Sequence, residues 1–177
     1  MIQEFSVRPK PANNNAKIAF LIAILLSAVG FVTYFMIEKY KGIVGTLALF
    51  ILTTAILFYT KYISPEFYYD VAFDSQGVPT FVVRQIIGKR QTTLCRIDLA
   101  DIKSVDKQTS KERSSHKTPV GYRVYNYTPT LMPKETYLIT VTSTYEKAEI
   151  RIEGTDELAK TLREYSDEAR IMQKDAE

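Results

Sequence analysis

The chain has 177 residues and a formal net charge of +3, and its charges are unevenly distributed. Residues 1–61 contain six basic and two acidic residues, whereas residues 62–177 contain 17 basic and 18 acidic residues. General nucleic-acid binding needs a basic face that displaces counterions from phosphates, so the near-neutral second part argues against a nucleic-acid partner. A single cysteine, Cys95, excludes an internal disulfide and gives no thiolate metal-ligand spacing.

Two long uncharged apolar segments lie near the N-terminus. The first has twenty residues, enough at about 1.5 Å of rise per residue to cross the roughly 30 Å core of a bilayer. The second follows after four residues, and so short a link predicts a transmembrane helical hairpin. A cleaved signal peptide is the alternative for the first segment, although its apolar part is too long and no clear cleavage site follows. The predicted tail, first span, external link and second span are residues 1–17, 18–37, 38–41 and 42–61.

Neither span contains Asp, Glu, Lys, Arg or His. Ion pathways, proton relays and voltage sensors normally need ionisable groups at membrane depth, so the hairpin is predicted to be an anchor. Four Lys and Arg flank the outer ends of the spans and two lie in the link. By the positive-inside rule, this distribution places both termini in the cytoplasm, in a multi-pass protein of the plasma membrane, which in bacteria is the inner membrane.

Small side chains recur along one face of the first span, where Ala19, Ala23 and Ser27 are followed by Gly30. Such residues let two helix backbones approach closely. The face therefore packs either against the second span or against another copy of the chain, and the second arrangement would give a homo-oligomer.

From residue 66 onwards the hydrophobic pattern alternates with a period of two, which predicts strands. The polar segment SKERSSHKTP reads as a loop, and Cys95 falls on a core-facing side together with Ile97 and Leu99. After Thr155, a predicted N-cap, the apolar spacing becomes helical. We expect this C-terminal helix to cover one end of a curled antiparallel sheet, with a coiled coil as the alternative use of its stripe. The predicted strands cover residues 69–73, 80–87, 92–99, 102–107, 122–127, 136–144 and 148–153, and the helical stripe is Leu158, Leu162, Tyr165, Ala169 and Met172.

Seven strands followed by one amphipathic helix is the element order of the pleckstrin-homology (PH) fold. With the run FVVRQIIGKRQTTLCRIDLADIKSV, the layout over residues 18–173 resembles bacterial PH-like proteins of the YcxB-like group, which have two transmembrane helices before the domain. The resemblance implies a transmembrane hairpin, then an α+β PH-like seven-stranded barrel over residues 66–174 with a C-terminal capping helix. Eukaryotic PH domains bind phosphoinositides through basic residues around the first strand connection. The corresponding residues here, Ser75 to Gly77, are not basic, so that ligand is not carried over.

Two groups of basic residues are candidate contacts for anionic lipid or for a partner. Lys89 and Arg90 lie on a predicted turn, where each could contribute about 1 kcal/mol against anionic headgroups, or could simply be solvated. The second group consists of Lys111, Arg113 and Lys117. Its positive charge is reduced by the nearby Asp106 and Glu112, and its side chains could also simply be solvated.

Three tyrosines, Tyr122, Tyr125 and Tyr127, surround one predicted edge strand, and the prolines of TPTLMP then prevent continued ladder pairing. Because a sheet edge can accept an added strand, this segment is a candidate protein-contact surface. Core tyrosines in ordinary alternation are the competing interpretation.

The sequence offers no catalytic signature. His116 lies in the polar loop without metal-ligand spacing and is predicted to be a surface residue, and no nucleophile elbow or phosphate-binding glycine loop is found. We therefore predict no enzyme activity, catalytic residue, cofactor, metal or small-molecule substrate. The predicted function is a membrane-anchored PH-like binding module that recognises a protein partner or an anionic membrane surface. The alternative is an accessory or regulatory subunit of a larger membrane complex for transport or signalling.

Overall fold

The computed structural model describes residues 2–9, 15–144 and 146–176, with side chains up to residue 174. The chain divides into two compact units. The first two helices form one unit. The other is rich in β-strands and combines the N-terminal residues with most of residues 66–176.

The helical unit consists of α1 (Asn15–Met36) and α2 (Lys41–Tyr62), both long and apolar enough to cross a membrane. The hydroxyl of Ser27 donates to the carbonyl oxygen of Ala48 over 3.1 Å. A Cβ placed on Gly30 would lie 2.9 Å from the Cβ of Ala48, so the glycine is needed for this close approach. The small face of α1 therefore packs against α2 within one chain, which is the self-packed alternative.

The β-rich unit contains eight strands within the described residues, arranged as two four-stranded sheets. The first sheet has the order β1-β2-β3-β4 and the second has the order β5-β7-β8-β6. The strands are β1 (Phe5–Val7), β2 (Glu66–Phe73), β3 (Pro79–Ile87), β4 (Arg90–Asp98), β5 (Ile102–Thr109), β6 (Arg123–Asn126), β7 (Glu135–Thr142) and β8 (Lys147–Ile152).

This arrangement corrects the predicted seven-stranded antiparallel barrel in three respects. The sheets are not closed into a barrel, β6 runs parallel to β8, and β1 is an additional strand. Strand β1 lies inside the segment predicted as a tail, because three residues are too few to show a two-residue period. The pairing is antiparallel and joins Phe5 to Val71 and Val7 to Tyr69, so the sheet begins before α1 and resumes after α2.

The polar segment after β5, predicted as a loop, contains a short helix, α3 (Ser110–Ser115). Its first turn is held by a capping box. The Glu112 backbone N–H donates to the Thr109 hydroxyl, and the Thr109 backbone N–H donates to the Glu112 carboxylate over 2.7 Å. This hydrogen bond lowers the pKa of Glu112. The Thr-x-x-Glu spacing is present in the sequence and is sufficient to explain the helix.

The chain ends in α4 (Asp156–Ala176), which is N-capped by Thr155 as predicted. Leu158, Leu162 and Ala169 of its apolar stripe are buried against the core, whereas Met172 is 52% exposed. The stripe is therefore used inside the chain and not in a coiled coil. The residues that form the centre of the core come from both sheets and include Tyr69, Phe81, Leu99, Ile139 and Ile150.

Helix α4 also covers the outer edge of β5. The Arg163 guanidinium donates to the Val105 carbonyl oxygen, with its Nε at 2.8 Å, and the Arg170 guanidinium donates to the Ile102 carbonyl oxygen. The helix therefore supplies hydrogen-bond donors to backbone carbonyl oxygens of this edge strand.

Candidate functional site

The strand register gives the first sheet two ends of different charge. Glu66 is paired with Ile86, and Val7 with Tyr69, so the end of β1, the start of β2 and the β3–β4 turn lie together. Thr80 is paired with Asp98, and this places the β2–β3 turn and the end of β4 at the other end. We call these the connection end, marked by Arg8, Glu66, Lys89 and Arg90, and the acidic end, marked by Glu4, Asp74, Asp98 and Asp101.

The connection end is where the chain leaves the sheet towards α1 and where it returns from α2. Lys89 and Arg90 are exposed on the β3–β4 turn, in which Gly88 adopts a positive φ of 61°. Arg8 forms a 2.6 Å ion pair with Glu66. Lys89 and Arg90 thus lie at the same end of the sheet as Arg8, and the side chains of Lys89 and Arg90 are exposed.

At the acidic end, burial raises the pKa of Asp98, and the nearby charges of Asp101 and Asp74 raise it further. The Asp74 carboxylate accepts from the backbone N–H groups of Gln76 and Val78, each at 2.8 Å, and so holds the β2–β3 turn. The Glu4 carboxylate accepts from the Phe73 N–H over 3.2 Å. Four carboxylates therefore lie at one end of the sheet, where they favour a cationic ligand.

A cleft of about 290 Å³ separates the second half of β4 from the second sheet. Its floor is apolar and comes from Val141, Ala148 and Ile150 of the second sheet. Its charged and polar lining includes Cys95, Arg96, Asp98, Asp101, Tyr125 and Glu146.

Tyr125 lines this cleft, and Tyr127 stacks against it. Their rings are stacked with centroids 6.2 Å apart and planes 7° apart. The Tyr125 hydroxyl donates to Glu146 over 2.7 Å, and the Tyr127 hydroxyl donates to the Leu94 carbonyl oxygen over 3.4 Å. Burial raises the pKa of Tyr127 to about 12. Tyr122 does not line this cleft. Its hydroxyl is 3.3 Å from that of Thr142, and Thr142 faces the opposite side of the second sheet from Val141, its neighbour in β7.

Cys95 lies half-buried in the cleft and packs against the core. Burial raises the pKa of its thiol to about 11, so the thiol stays protonated at neutral pH. A protonated thiol is a poor nucleophile, and this agrees with the packing role that the alternation predicts.

The other basic candidates lie on the β5–β6 connection. Lys111 and Arg113 belong to α3, and Lys117 follows it. Lys111 and Lys117 are exposed and Arg113 is half-buried. They are on different elements from Lys89 and Arg90.

His116 is partly exposed, and it has a buried partner that the sequence did not predict. Its Nε2 is 2.9 Å from a carboxylate oxygen of Glu149, and the Thr118 hydroxyl donates to the second oxygen over 2.9 Å. The Glu149 side chain is 2% exposed and that of His116 is 23% exposed. The segment from His116 to Tyr122 therefore crosses the outer face of β7 and β8. No sequence spacing relates His116 to Glu149, so this pair could not be found without the fold.

Within the described ranges, no group of three or more His, Cys, Asp and Glu residues is arranged to hold a metal ion.

A family model described as a bacterial PH-like domain (DUF6106) matches residues 3–172. The chain belongs to this bacterial PH-like family. The match confirms the resemblance found in the sequence and extends it to β1, which precedes the apolar helices. No curated protein and no solved structure matches the chain significantly. PH-like domains are generally non-catalytic modules that bind lipids or proteins, and a binding module fits this chain.

Proposed function

We propose that this protein is a membrane-anchored PH-like binding module. In this proposal α1 and α2 form the anchor, the connection end of the first sheet meets anionic headgroups, and the rest of the domain binds a protein partner. The observation that carries the proposal is the pairing of β1 with β2, which lie on either side of the two apolar helices in the chain.

Two strands that hydrogen-bond to each other lie on the same side of a membrane. The chain between Val7 and Glu66 therefore crosses a bilayer an even number of times, and the two apolar helices supply two crossings. This constraint on the number of crossings does not depend on the count of Lys and Arg. It supports a shared side for both termini and the β-rich domain, and the positive-inside bias supports the cytoplasm as that side.

The charges of the first sheet support one orientation of the domain. Lys89 and Arg90 lie at the end from which the chain continues to the anchor, and each basic residue near an anionic leaflet contributes about 1 kcal/mol. Arg8 lies at the same end, where Glu66 offsets its charge. The four carboxylates at the opposite end would be repelled by the same leaflet. An anionic surface therefore favours the connection end towards lipid and leaves the acidic end free for a partner.

Topology is tested with side-specific reporters fused to either terminus and with a cysteine placed in the link, Glu38→Cys, in a Cys95→Ser background. We expect both reporters to be active in the cytoplasm and the link cysteine to react with an impermeant reagent from outside. Reporters active on opposite sides would contradict the proposal.

Lipid contact is tested by hydrogen exchange of the full chain in nanodiscs of neutral or anionic lipid. We expect anionic lipid to slow amide exchange in the β3–β4 turn. The double variant Lys89→Gln/Arg90→Gln should lose this effect, whereas Lys111→Gln/Arg113→Gln, which removes the same charge from α3, should keep it. If both double variants lost the slowing of amide exchange to the same extent, the effect would be one of general charge, and a specific role for the turn would be refuted.

The alternative function, an accessory subunit of a larger membrane complex, is supported by one observation. A shallow apolar depression of about 460 Å³ lies on α2 beside Gly42, Ile43, Thr46, Leu47 and Phe50, and its small residues would allow a partner helix to approach. Copurification in a gentle detergent separates the two functions. A stoichiometric membrane partner would support the subunit, and an isolated monomer or homodimer would support the independent module.

A further inference from the structure

The two sheets of the β-rich unit have four edges, and these edges are not equally protected. Edge strand β1 has three residues and β6 has four, so both are short. The outer edge of β5 is covered by α4 through Arg163 and Arg170. The remaining edge strand is β4, which has nine residues and pairs only with β3 among the described strands.

The Tyr127 hydroxyl donates to the Leu94 carbonyl oxygen in the middle of β4, but among the described strands none pairs with this edge. An unpaired edge strand of this length is unusual for a folded domain. Unpaired backbone N–H and C=O groups form a template for another strand, and proteins normally shorten, cover or bend such edges. Strand β4 carries a bulge near Leu94, opposite Val83 and Arg84, which protects its middle. No such irregularity interrupts its second half, Cys95 to Asp98.

The second half of β4 also borders the cleft described above. A strand added there would place alternate side chains over the apolar floor formed by Val141, Ala148 and Ile150. Its other side chains would meet carboxylates, because Asp98, Asp101 and Glu146 line the cleft and Arg96 is the single basic residue among the lining residues. The charge of the cleft therefore complements a basic segment and disfavours an acidic one.

We propose that the edge of β4 accepts an extended segment of a partner protein as an added strand, and that this segment carries Lys or Arg where it meets Asp98 and Asp101. The inference rests on the proposed binding function and specifies its partner chemistry. Backbone hydrogen bonds to β4 supply sequence-independent affinity, and the acidic end of the sheet selects basic side chains.

The experiment is a selection from a random decapeptide display library on the full chain in nanodiscs. The best peptide is then synthesised for affinity measurement and for hydrogen exchange of β4. We expect the selected peptides to be enriched in Lys and Arg, and the bound peptide to slow amide exchange at Cys95 to Asp98. Methylation of alternate backbone nitrogens leaves the charges unchanged and should weaken binding at least about tenfold, because strand pairing needs the N–H donors.

Matched variants test the charge selection. Asp98→Asn/Asp101→Asn should weaken the binding of the basic peptide by roughly tenfold, which corresponds to about 1.4 kcal/mol. Glu164→Gln/Asp167→Asn removes the same charge from the exposed face of α4 and should change the affinity less than about twofold.

Several results would overturn the proposal: recovery of no binders, peptides without basic enrichment, equal affinity for the two double variants, or protection confined to segments other than β4. Each of these would leave the proposed anchoring function standing, because the reporter topology and the lipid protection of the β3–β4 turn do not depend on Asp98 or Asp101. Conversely, failure of the topology test would refute the anchor even if the peptide bound.

Discussion

Phe5 and Val71 are paired in the first sheet, although both apolar helices lie between them in the chain. The β-rich domain is therefore interrupted by the hairpin and does not simply follow it. Strand β1 has no partner until β2 has been synthesised, so completion of the first sheet depends on the hairpin bringing the chain back.

Removal of the Phe5 side chain should destabilise the β-rich domain. Phe5 packs against the core, and its ring lies 6.2 Å from that of Tyr165 on α4. Because Phe5 is only partly buried, we expect Phe5→Ala to lower the free energy of unfolding by about 1–3 kcal/mol. Thermal unfolding and hydrogen exchange of β2 in detergent measure this effect. Val120→Ala, at a fully exposed side chain, should change stability by less than about 0.5 kcal/mol, and an equal effect of the two changes would contradict a packed β1.

Asp98→Asn should stabilise the protein at neutral pH. The folded state raises the pKa of Asp98 through burial and through Asp101 and Asp74, so the folded state binds this proton more tightly than the unfolded state. The free energy of unfolding therefore falls as the pH rises from the pKa of Asp98 in the unfolded state through its pKa in the folded state. Above both values, the full cost of the charged carboxylate is present. The variant removes this penalty, with a gain of less than about 1 kcal/mol because the group is mostly exposed.

Melting temperature measured as a function of pH tests this prediction. The difference between Asp98→Asn and the natural protein should be constant near pH 7 and should vanish once Asp98 is protonated at acidic pH. Glu164→Gln provides a control at an exposed carboxylate. If Asp98→Asn is destabilising at pH 7, the carboxylates do not repel one another in the manner that the geometry indicates.

Removing the donors to Glu149 should loosen the segment that crosses the second sheet. His116→Ala and Thr118→Val each take one hydrogen-bond partner from a carboxylate that is 2% exposed, and we expect each to cost about 1–3 kcal/mol. Faster hydrogen exchange of residues 116–122 and reduced thermal stability measure the loss. Lys117→Ala changes an exposed residue between them and should have little effect.

A double-mutant cycle separates this local role from general damage. Because His116 and Thr118 share Glu149, the two substitutions should show a coupling energy of at least about 0.5 kcal/mol. Strict additivity would indicate that they do not act through a common carboxylate.

Gly30→Leu should separate the helices of the hairpin. A Cβ at Gly30 would lie 2.9 Å from the Cβ of Ala48, whereas a Cβ at Gly42 would have no neighbour within 4 Å. We expect Gly30→Leu to cost about 1–3 kcal/mol through overpacking and Gly42→Leu to be close to neutral in the purified protein. Thermal unfolding of α1 and α2 in detergent measures both. Equal tolerance of the two variants would show that the helices do not pack at Gly30.

Local patterns in the sequence were sufficient for much of the fold. The length and apolar character of the two N-terminal segments predict α1 and α2, the two-residue alternation predicts β2 to β5 and β6 to β8, and the stripe after Thr155 predicts α4. These features could be predicted because each depends on side chains within one turn or a few residues of the same strand. The capping box at Thr109 and Glu112 is equally local, so α3 was within reach of the sequence.

Non-local features were not predicted. The three residues of β1 acquire an extended partner only when residues 69–71 are placed beside them, and Glu149 acquires its donors only when the segment from His116 to Thr118 crosses β8. Sequence alternation also cannot distinguish a closed barrel from two open sheets, because closure depends on which edges meet and not on the residues along a strand.

The same reason applies to the candidate site. The sequence by itself identified Lys89, Arg90, Tyr125 and Tyr127 as candidate contacts and determined that two apolar segments precede most of the β-rich domain. Only the tertiary structure decided that Lys89 and Arg90 lie at one end of the first sheet and Asp98 and Asp101 at the other, that α4 covers β5, and that β4 pairs only with β3 among the described strands. Register and edge coverage are set by partners far away in the chain, and no local pattern of residues encodes them.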